Sequence, residues 1–510
     1  MLLALSKRRR LRVQAVVIAV AIAAAVAPAL PAGAAPPLPI ATAECGPGSA
    51  PEPALQGEVP AADRESGRST RGYSCNVVRL GRYQGHGGGI TSSSHDHCAY
   101  MGSMFPGSMV GSDTGVAVID ASDPSAPRRT TTLRAPALTA GTWESLKANR
   151  KSELLVGTGV PLLTGAGLLA VYDISDCARP RLLNDVVGTP AAPLPITAHE
   201  GGFSPDGKTY WASGVGPGLI SAVDLSDPAR PKVIAHNLTA LENHGVGVSA
   251  DGNTLYLSHN FGGMSIWDVS SIQRRDANPH MRKLSQLDWT SGAFTQHSVP
   301  VTYGDDEYLF TVLEGGSGGV KLVDVNDPRS PKVVNELKLE VNFPQHQDRA
   351  LASSMGGGVF AYESHYCAAD RPVNPTALAC GWISSGVRVF DVRNPKQVKE
   401  IAYFNPPAQT GRHLDLWNSP HALSSVIGAP FISTGGILAS LADGKFDPGQ
   451  ALGRRSGRAF TDLSTDWCFS PPEWRGDKLY VGCSDNGFQV LQLTNDVYTP
   501  PADQLSHVGS

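Results

Sequence analysis

The chain has 510 residues, a formal net charge of -4 and only 17% charged residues, so it carries no basic field and nucleic acid is not expected as a partner. Its 55 glycines and 39 prolines suit many short strands joined by turns better than long helices. Eight cysteines, an even number, fit disulfides in an oxidising compartment.

The N-terminus reads as a secretory signal peptide over residues 1–34: a cationic KRRRLR, an apolar run from Val13 to Ala27, and small residues Ala32-Gly33-Ala34 at the cleavage site. An uncleaved anchor is the alternative, although the run is short for a span of roughly 20 residues. No later segment is long and apolar enough to cross a bilayer, so the mature chain is expected outside the cytoplasm, secreted or associated with the cell envelope, as a monomer. Residues 35–72, rich in Ala, Pro and Gly, read as an irregular lead-in.

From residue 73 to 495 one phrase recurs: GVAVIDASDPSAP (115–127), LLAVYDISDCARP (168–180), ISAVDLSDPARP (220–231), MSIWDVSS (264–271), VKLVDVNDPRSP (320–331) and VRVFDVRNP (387–395), with a degenerate FQVLQLTND at 488–496. Each is an alternating apolar strand that ends in Asp or its equivalent before a turn. The Asp has a structural role there, bonding to the backbone N–H groups of the turn. The phrase resembles the LVIVD repeat of secreted bacterial β-propellers, which implies that architecture without implying an activity.

Upstream of each phrase lies another strand pair, often joined by Asp-Gly or Asp-Asp, as in SPDGKTYWASG, SADGNTLYLSH and TYGDDEYLF. Four strands per unit, with units about 45 to 65 residues apart, is blade-sized for a propeller. Units begin near His95, Trp143, His199, His244, His297, His346 and Trp467. The expected fold is therefore all-β, a seven-bladed β-propeller. The last unit shows only three strands, and SCNVVRLGRYQG at 74–85 has no unit before it, so this N-terminal strand is expected to close the last blade. Residues 408–464 read as an insertion after blade six that lies over one face, and residues 496–510 as a C-terminal tail.

The first strand of a propeller blade lines the central channel, so equivalent positions form a ring. The strand openings carry His95 or His97 (SHDHCAY), His199 (AHEGG), His244 (NHGVG), His297 (QHSVP) and His346 (QHQDR), with Trp143 and Trp467 completing the ring. Imidazoles converging from several blades suit a transition metal such as Cu, Fe or Zn. The expected ligands are His199, His244, His297 and His346, joined by His95 or His97, with Glu200, Glu144, Asp96 and Asp348 holding imidazole tautomers from behind. A rim of His259, Glu314, Glu363, His365 and His421 is expected around the pocket, and His413 with Arg454, Arg455 and Arg458 is expected to face solvent.

Four channel histidines from different blades resemble, in arrangement, the iron site of carotenoid cleavage oxygenases. A histidine-lined propeller is also similar to the selenium-binding or methanethiol oxidase family. This likeness implies a metal-dependent oxidoreductase acting on a small organic substrate. The alternative is a non-catalytic platform for an extracellular protein or glycan.

Two disulfides follow from local geometry: Cys468 with Cys483 flanks a hairpin, and Cys367 with Cys380 closes a loop between strands. Cys45, Cys75, Cys98 and Cys177 admit three connectivities, and no CxxC pair suggests a thiolate metal site. There is no GxSxG elbow, HExxH helix or GxxxxGK[ST] loop. GHGGGI at 85–90 reads as the entry to the first blade, and the DG turns lack the oxygen spacing of a calcium loop.

Overall fold

The structure, a computed structural model, describes residues 39–105, 107–159, 168–184, 189–190, 198–214, 217–260, 263–289, 294–315, 318–353, 361–409, 416–421 and 466–509. The expected signal peptide over residues 1–34, His413, Arg454, Arg455, Arg458 and most of the expected insertion lie outside them.

The chain folds as a seven-bladed β-propeller, each blade an antiparallel sheet whose strands run outward in sequence order. The innermost strands are Ser92–His95, Lys147–Asn149, Ala198–Phe203, Asn243–Val248, Phe294–Tyr303, Tyr366–Ala369 and Glu473–Arg475. The recurring phrase forms the third strand of every blade, from Val116–Asp120 in blade one to Gly487–Leu493 in blade seven. Its apolar residues are buried on both sides because neighbouring blades pack face to face. Val246, Leu255 and Trp267 of blade four, for example, share one cluster with Trp211, Ile220 and Ala222 of blade three.

The aspartate that ends these strands does what its position predicts. Asp120, Asp173, Asp224, Asp268, Asp324 and Asp391 each accept the backbone N–H two residues on, at 2.9–3.1 Å. The turn is thereby held, and a fourth strand returns along the outer edge.

Closure is also as expected. Val77–Tyr83 pairs antiparallel with Gly487–Leu493 and supplies the outermost strand of blade seven. The preceding Tyr73–Cys75 adds a fifth strand to blade six by pairing with Lys399–Asn405. Upstream of these, the lead-in is mostly irregular with two short helical elements, an α-helix at Ala61–Glu65 and a 3-10 turn at Arg68–Arg71. It is tied down by a Cys45–Cys75 disulfide. The other three bridges are Cys98–Cys177, which joins blades one and two, and the expected Cys367–Cys380 and Cys468–Cys483.

One boundary differs. Blade six does not begin at His346: residues 340–353 form helical turns, Glu340–Asn342, Pro344–His346 and Gln347–Ser353, and the first strand starts at Tyr366. QDRALAS is a run dominated by helix-forming residues, which explains the change.

The tail also has a defined place. Leu505 N donates to Asp370 O, His507 pairs with Ala369, and Gly509 O accepts from Val248 N, so the tail crosses one end of the channel from blade six toward blade four. No helix among the described residues is long and apolar enough to cross a membrane.

Candidate metal centre

The site sits at the channel mouth where the innermost strands begin. Irregular register in the first strands shapes it. Ala198 pairs with Gly214 and Glu200 with Ser213, leaving His199 as the extra residue, and a similar irregularity spans Asn243 to Val246. Such bulges re-aim side chains, here toward the axis. In blade five the pairing runs from Thr295–Leu313 to His297–Val312, so the extra residue is Gln296. The one-residue offset turns Gln296 inward and sends His297 sideways.

Glu144 is the hub. Its Oε2 lies 2.9 Å from His199 Nε2 and 3.6 Å from His244 Nε2, and its Oε1 lies 2.9 Å from His365 Nε2. Glu314 closes the other side, 4.0 Å from His244 Nε2 and 3.8 Å from His365 Nε2. Gln296 Nε2 donates to Glu144 Oε1 at 2.9 Å. Glu144, His199 and His244 offer three donor atoms all within 4.8 Å of one another, the spacing of a group that could hold a metal ion.

Two imidazoles are fixed from behind. His244 Nδ1 lies 2.9 Å from Glu200 Oε2, and His365 Nδ1 lies 3.0 Å from the Phe469 carbonyl oxygen. Donation from Nδ1 in each case leaves Nε2 as the atom that faces the hub, the arrangement usual for ligating histidines. Gly245 makes the Glu200 contact possible, since a Cβ there would stand 2.4 Å from Glu200 Oε1. Lys147 Nζ lies 3.7 Å from the same oxygen and 4.5 Å from the centre of the Tyr366 ring.

The electrostatics follow from this concentration of charge out of water. Burial opposes ionisation of Glu144, but His199, His244 and His365 outweigh it and hold the carboxyl well below its usual range. Burial likewise disfavours the His244 imidazolium, yet Glu144, Glu200 and Glu314 raise its pKa to about 9. For Glu314, burial and then the repulsion of Glu144 win, and its pKa is raised. Most of the cluster is closed off, while His199 keeps 18% of its side chain exposed toward the mouth.

The opposite arc of the mouth is apolar: Ile90, Met104, Ile383, Trp467 and Phe469 form one cluster with Trp143 against it. Residues 416–421 of the insertion lie over this arc. Asn418 accepts from Met104 N, and His421 Nδ1 lies 2.9 Å from Asp485 Oδ2 with its ring against Trp467. Residues 416–421 thus cover the apolar arc of the mouth.

The expected site residues therefore divide. His199 and His244 meet, and Glu200 supports His244 from behind. Glu144 belongs to the centre rather than behind it, and Glu314 and His365 are hub neighbours rather than rim. His365 takes the position assigned to His346, whose ring is instead 4.0 Å from Glu340 on the helical segment. Asp348 is exposed there.

His297 stacks on Tyr366 with ring centroids 4.4 Å apart and is held neutral, its pKa well below the usual value through burial and then Lys147. His95 ends its strand where His199 opens one, so it lies at the far end of the channel, beside the exposed Asp96. His97 neighbours Cys98 and Cys177, whose sulfurs are joined in a disulfide and offer no thiolate. His259 is occupied inside blade four, 3.1 Å from Asn243 Oδ1 and 2.7 Å from Ser265 Oγ. Glu363 accepts the Ala361 N–H. Gln296 and Lys147 were not anticipated. The extra residue that aims Gln296 inward has no sequence signal of its own, and Lys147 reads as an ordinary strand lysine.

No family model matches the chain, and no curated protein does. Among solved structures it is similar to a functionally unknown protein from Desulfotomaculum acetoxidans, at 10% identity over 62% of this chain and 84% of that one, with a TM-score of 0.43. It is also similar to a putative 6-phosphogluconolactonase from Bacteroides uniformis, at 13% identity over 62% of this chain and 85% of that one, TM-score 0.42. A third is the periplasmic gluconolactonase of Pseudomonas aeruginosa, at 13% identity over 49% and 70% of the two chains, TM-score 0.38.

Proposed function

We propose that this chain is a secreted LVIVD-repeat propeller that binds one divalent transition metal at the channel mouth and acts as a metal-dependent oxidoreductase on a small organic substrate. The observation that carries the reading is the convergence of His199 Nε2, His244 Nε2 and His365 Nε2 on Glu144, with His244 and His365 tied through Nδ1 to Glu200 and a backbone carbonyl. Three imidazoles and two carboxylates make a mixed nitrogen and oxygen donor set that suits Fe, Zn or Cu(II) better than soft Cu(I).

When bound, the metal would supply Lewis-acid or redox chemistry. The chain's own residues have distinct tasks. Glu200 and the Phe469 carbonyl orient ligands, Gln296 fixes Glu144, and the apolar arc of Trp467, Phe469 and Ile90 offers a surface for an organic substrate. His199, the exposed member, stands where that substrate would arrive. Export fits the four disulfides.

The test is elemental analysis of the mature protein, dialysed without chelator, beside a His199→Ala/His244→Ala variant of matched fold by circular dichroism. One equivalent of Fe, Zn or Cu in the parent and none in the variant is expected. If neither holds metal, even after reconstitution, the metalloenzyme reading fails and a metal-free binding platform takes its place.

A further inference from the structure

The channel has a second mouth, where the innermost strands end, and the metal centre makes no use of it. A cavity of about 320 Å³ opens there, lined by residues of all seven blades and by the C-terminal tail. Its volume is at the lower end of the range of small-molecule sites, roughly 300–1,000 Å³. Most of the wall is apolar, with Phe203, Val248, Tyr256, Val301, Tyr308 and Val373 among its residues. Val373 is 52% exposed at the rim. An apolar cavity with a few convergent polar groups is the usual form of a ligand pocket.

The cationic groups lie together on one side, while other polar residues such as Ser204, Ser249 and Thr302 are spread round the wall. Lys147, Asn149, Arg150 and Lys151 come from the first strand of blade two and the turn that follows, and Ser92, Ser93 and Ser94 from blade one beside it. Lys147 is committed to Glu200 in the layer that separates this cavity from the metal centre. Arg150 is not so committed: it stands half-buried on the lining and forms no ion pair with an acid among the described residues.

A second guanidinium stands close by. Arg475 gives its donors to the carbonyls of Asp96 and Trp474 and to Ser94 Oγ. Burial, and then the charge of Arg150, lower its pKa to about 10. The acids facing this corner are Glu473 beside Arg475, Asp96 and Glu153 near His95, and Glu307 across the cavity on blade five. None of them forms an ion pair with Arg150, so the cationic corner keeps its charge toward the cavity.

We infer that this mouth binds an amphipathic organic anion, its carboxylate held by Arg150 and Lys151, and its apolar body packed against the walls of blades three to six. The tail shapes the floor of the pocket, with His507 Nε2 donating to Pro300 O at 2.7 Å and Gly509 O taking Val248 N. The inference is independent of the metal centre, because the lining includes none of Glu144, His199, His244, His365 or Glu314.

The experiment is isothermal titration calorimetry of the mature protein with octanoate, and with octylamine as the cationic counterpart. Octanoate is expected to bind at one site and octylamine not to saturate it. Arg150→Gln should weaken octanoate by about ten- to a hundredfold, as expected for loss of a charged hydrogen bond. Val373→Trp, at an exposed rim position, should weaken it by narrowing the mouth while the melting temperature is kept. His199→Ala/His244→Ala should leave it unchanged. Equal binding of octanoate and octylamine, failure of octanoate to bind, or an Arg150→Gln protein that is folded and binds as the parent does would each overturn the inference.

Discussion

Removing the Cys98–Cys177 bridge with a Cys98→Ala/Cys177→Ala variant should destabilise the propeller more than removing either bridge that lies within a blade. The bridge closes a segment of 79 residues, whereas Cys367–Cys380 closes 13. Loop-closure entropy gives about 4.5 kcal/mol for the longer loop and about 2.9 kcal/mol for the shorter. The loss of core sulfur does not disturb the comparison, since Cys98, Cys177, Cys367 and Cys380 are all buried. Cys98 opens the second strand of blade one, and Cys177 sits in the turn after the third strand of blade two. The crosslink therefore holds two blades in register as well as shortening the unfolded chain. The measurement is urea unfolding of both variants by tryptophan fluorescence, with midpoints and slopes compared. A difference near 1.6 kcal/mol is expected. If Cys367→Ala/Cys380→Ala costs as much or more, the bridge between blades does not act through loop closure and the reasoning is refuted.

Two further outcomes follow from buried charge. His259 has its pKa lowered to about 4, chiefly by burial, so between pH 6.5 and pH 4 the unfolded chain binds a proton that the fold excludes. Stability should fall on acidification, and His259→Gln should lessen the loss between pH 7.5 and pH 5 by about 2 kcal/mol in urea midpoints taken at both values. An unchanged pH slope in the variant would count against a neutral His259. Arg388 is fully buried, with Nη1 on Glu400 at 3.1 Å and Nη2 on Glu52 at 2.7 Å. Arg388→Met should cost about 3–5 kcal/mol by stranding both carboxylates, and adding Glu400→Gln should recover part of it in the same assay.

The architecture was legible because a propeller repeats its reasons. The same apolar third strand, ended by an aspartate that caps its turn, recurs from Asp120 to Asp391, and the unpaired strand near residue 77 matched the vacancy in blade seven. The site was legible only in part. His199 and His244 could be placed because their blades share one phrase and one kind of bulge. His297 was misassigned because a bulge shifted by one residue carries no mark in the sequence, yet it exchanges the inward and sideways positions. His346 sits in a helical insertion whose QDRALAS run could have warned against a strand. His95 shows a different limit, since a motif near a strand does not say which end of the strand it occupies. Glu144, Glu314 and His365 were seen as supporting residues because their roles depend on contacts between blades two, five and six, which no local pattern encodes.

The strand that closes the ring has a consequence for how the protein comes into being. Val77–Tyr83 is synthesised about 400 residues before its partner Gly487–Leu493, the largest separation among the antiparallel strand pairs of the described residues. At translation rates of roughly 5–20 residues per second, that strand waits on the order of 20–80 s with a free edge. During this interval blades one to six can form only an open arc, exposing the faces that blade seven will later cover. The waiting strand VVRLGRY carries Arg79 and Arg82, and charges on an exposed edge discourage pairing with a neighbouring chain. Two positive charges on the waiting edge therefore disfavour its pairing with another molecule during that interval.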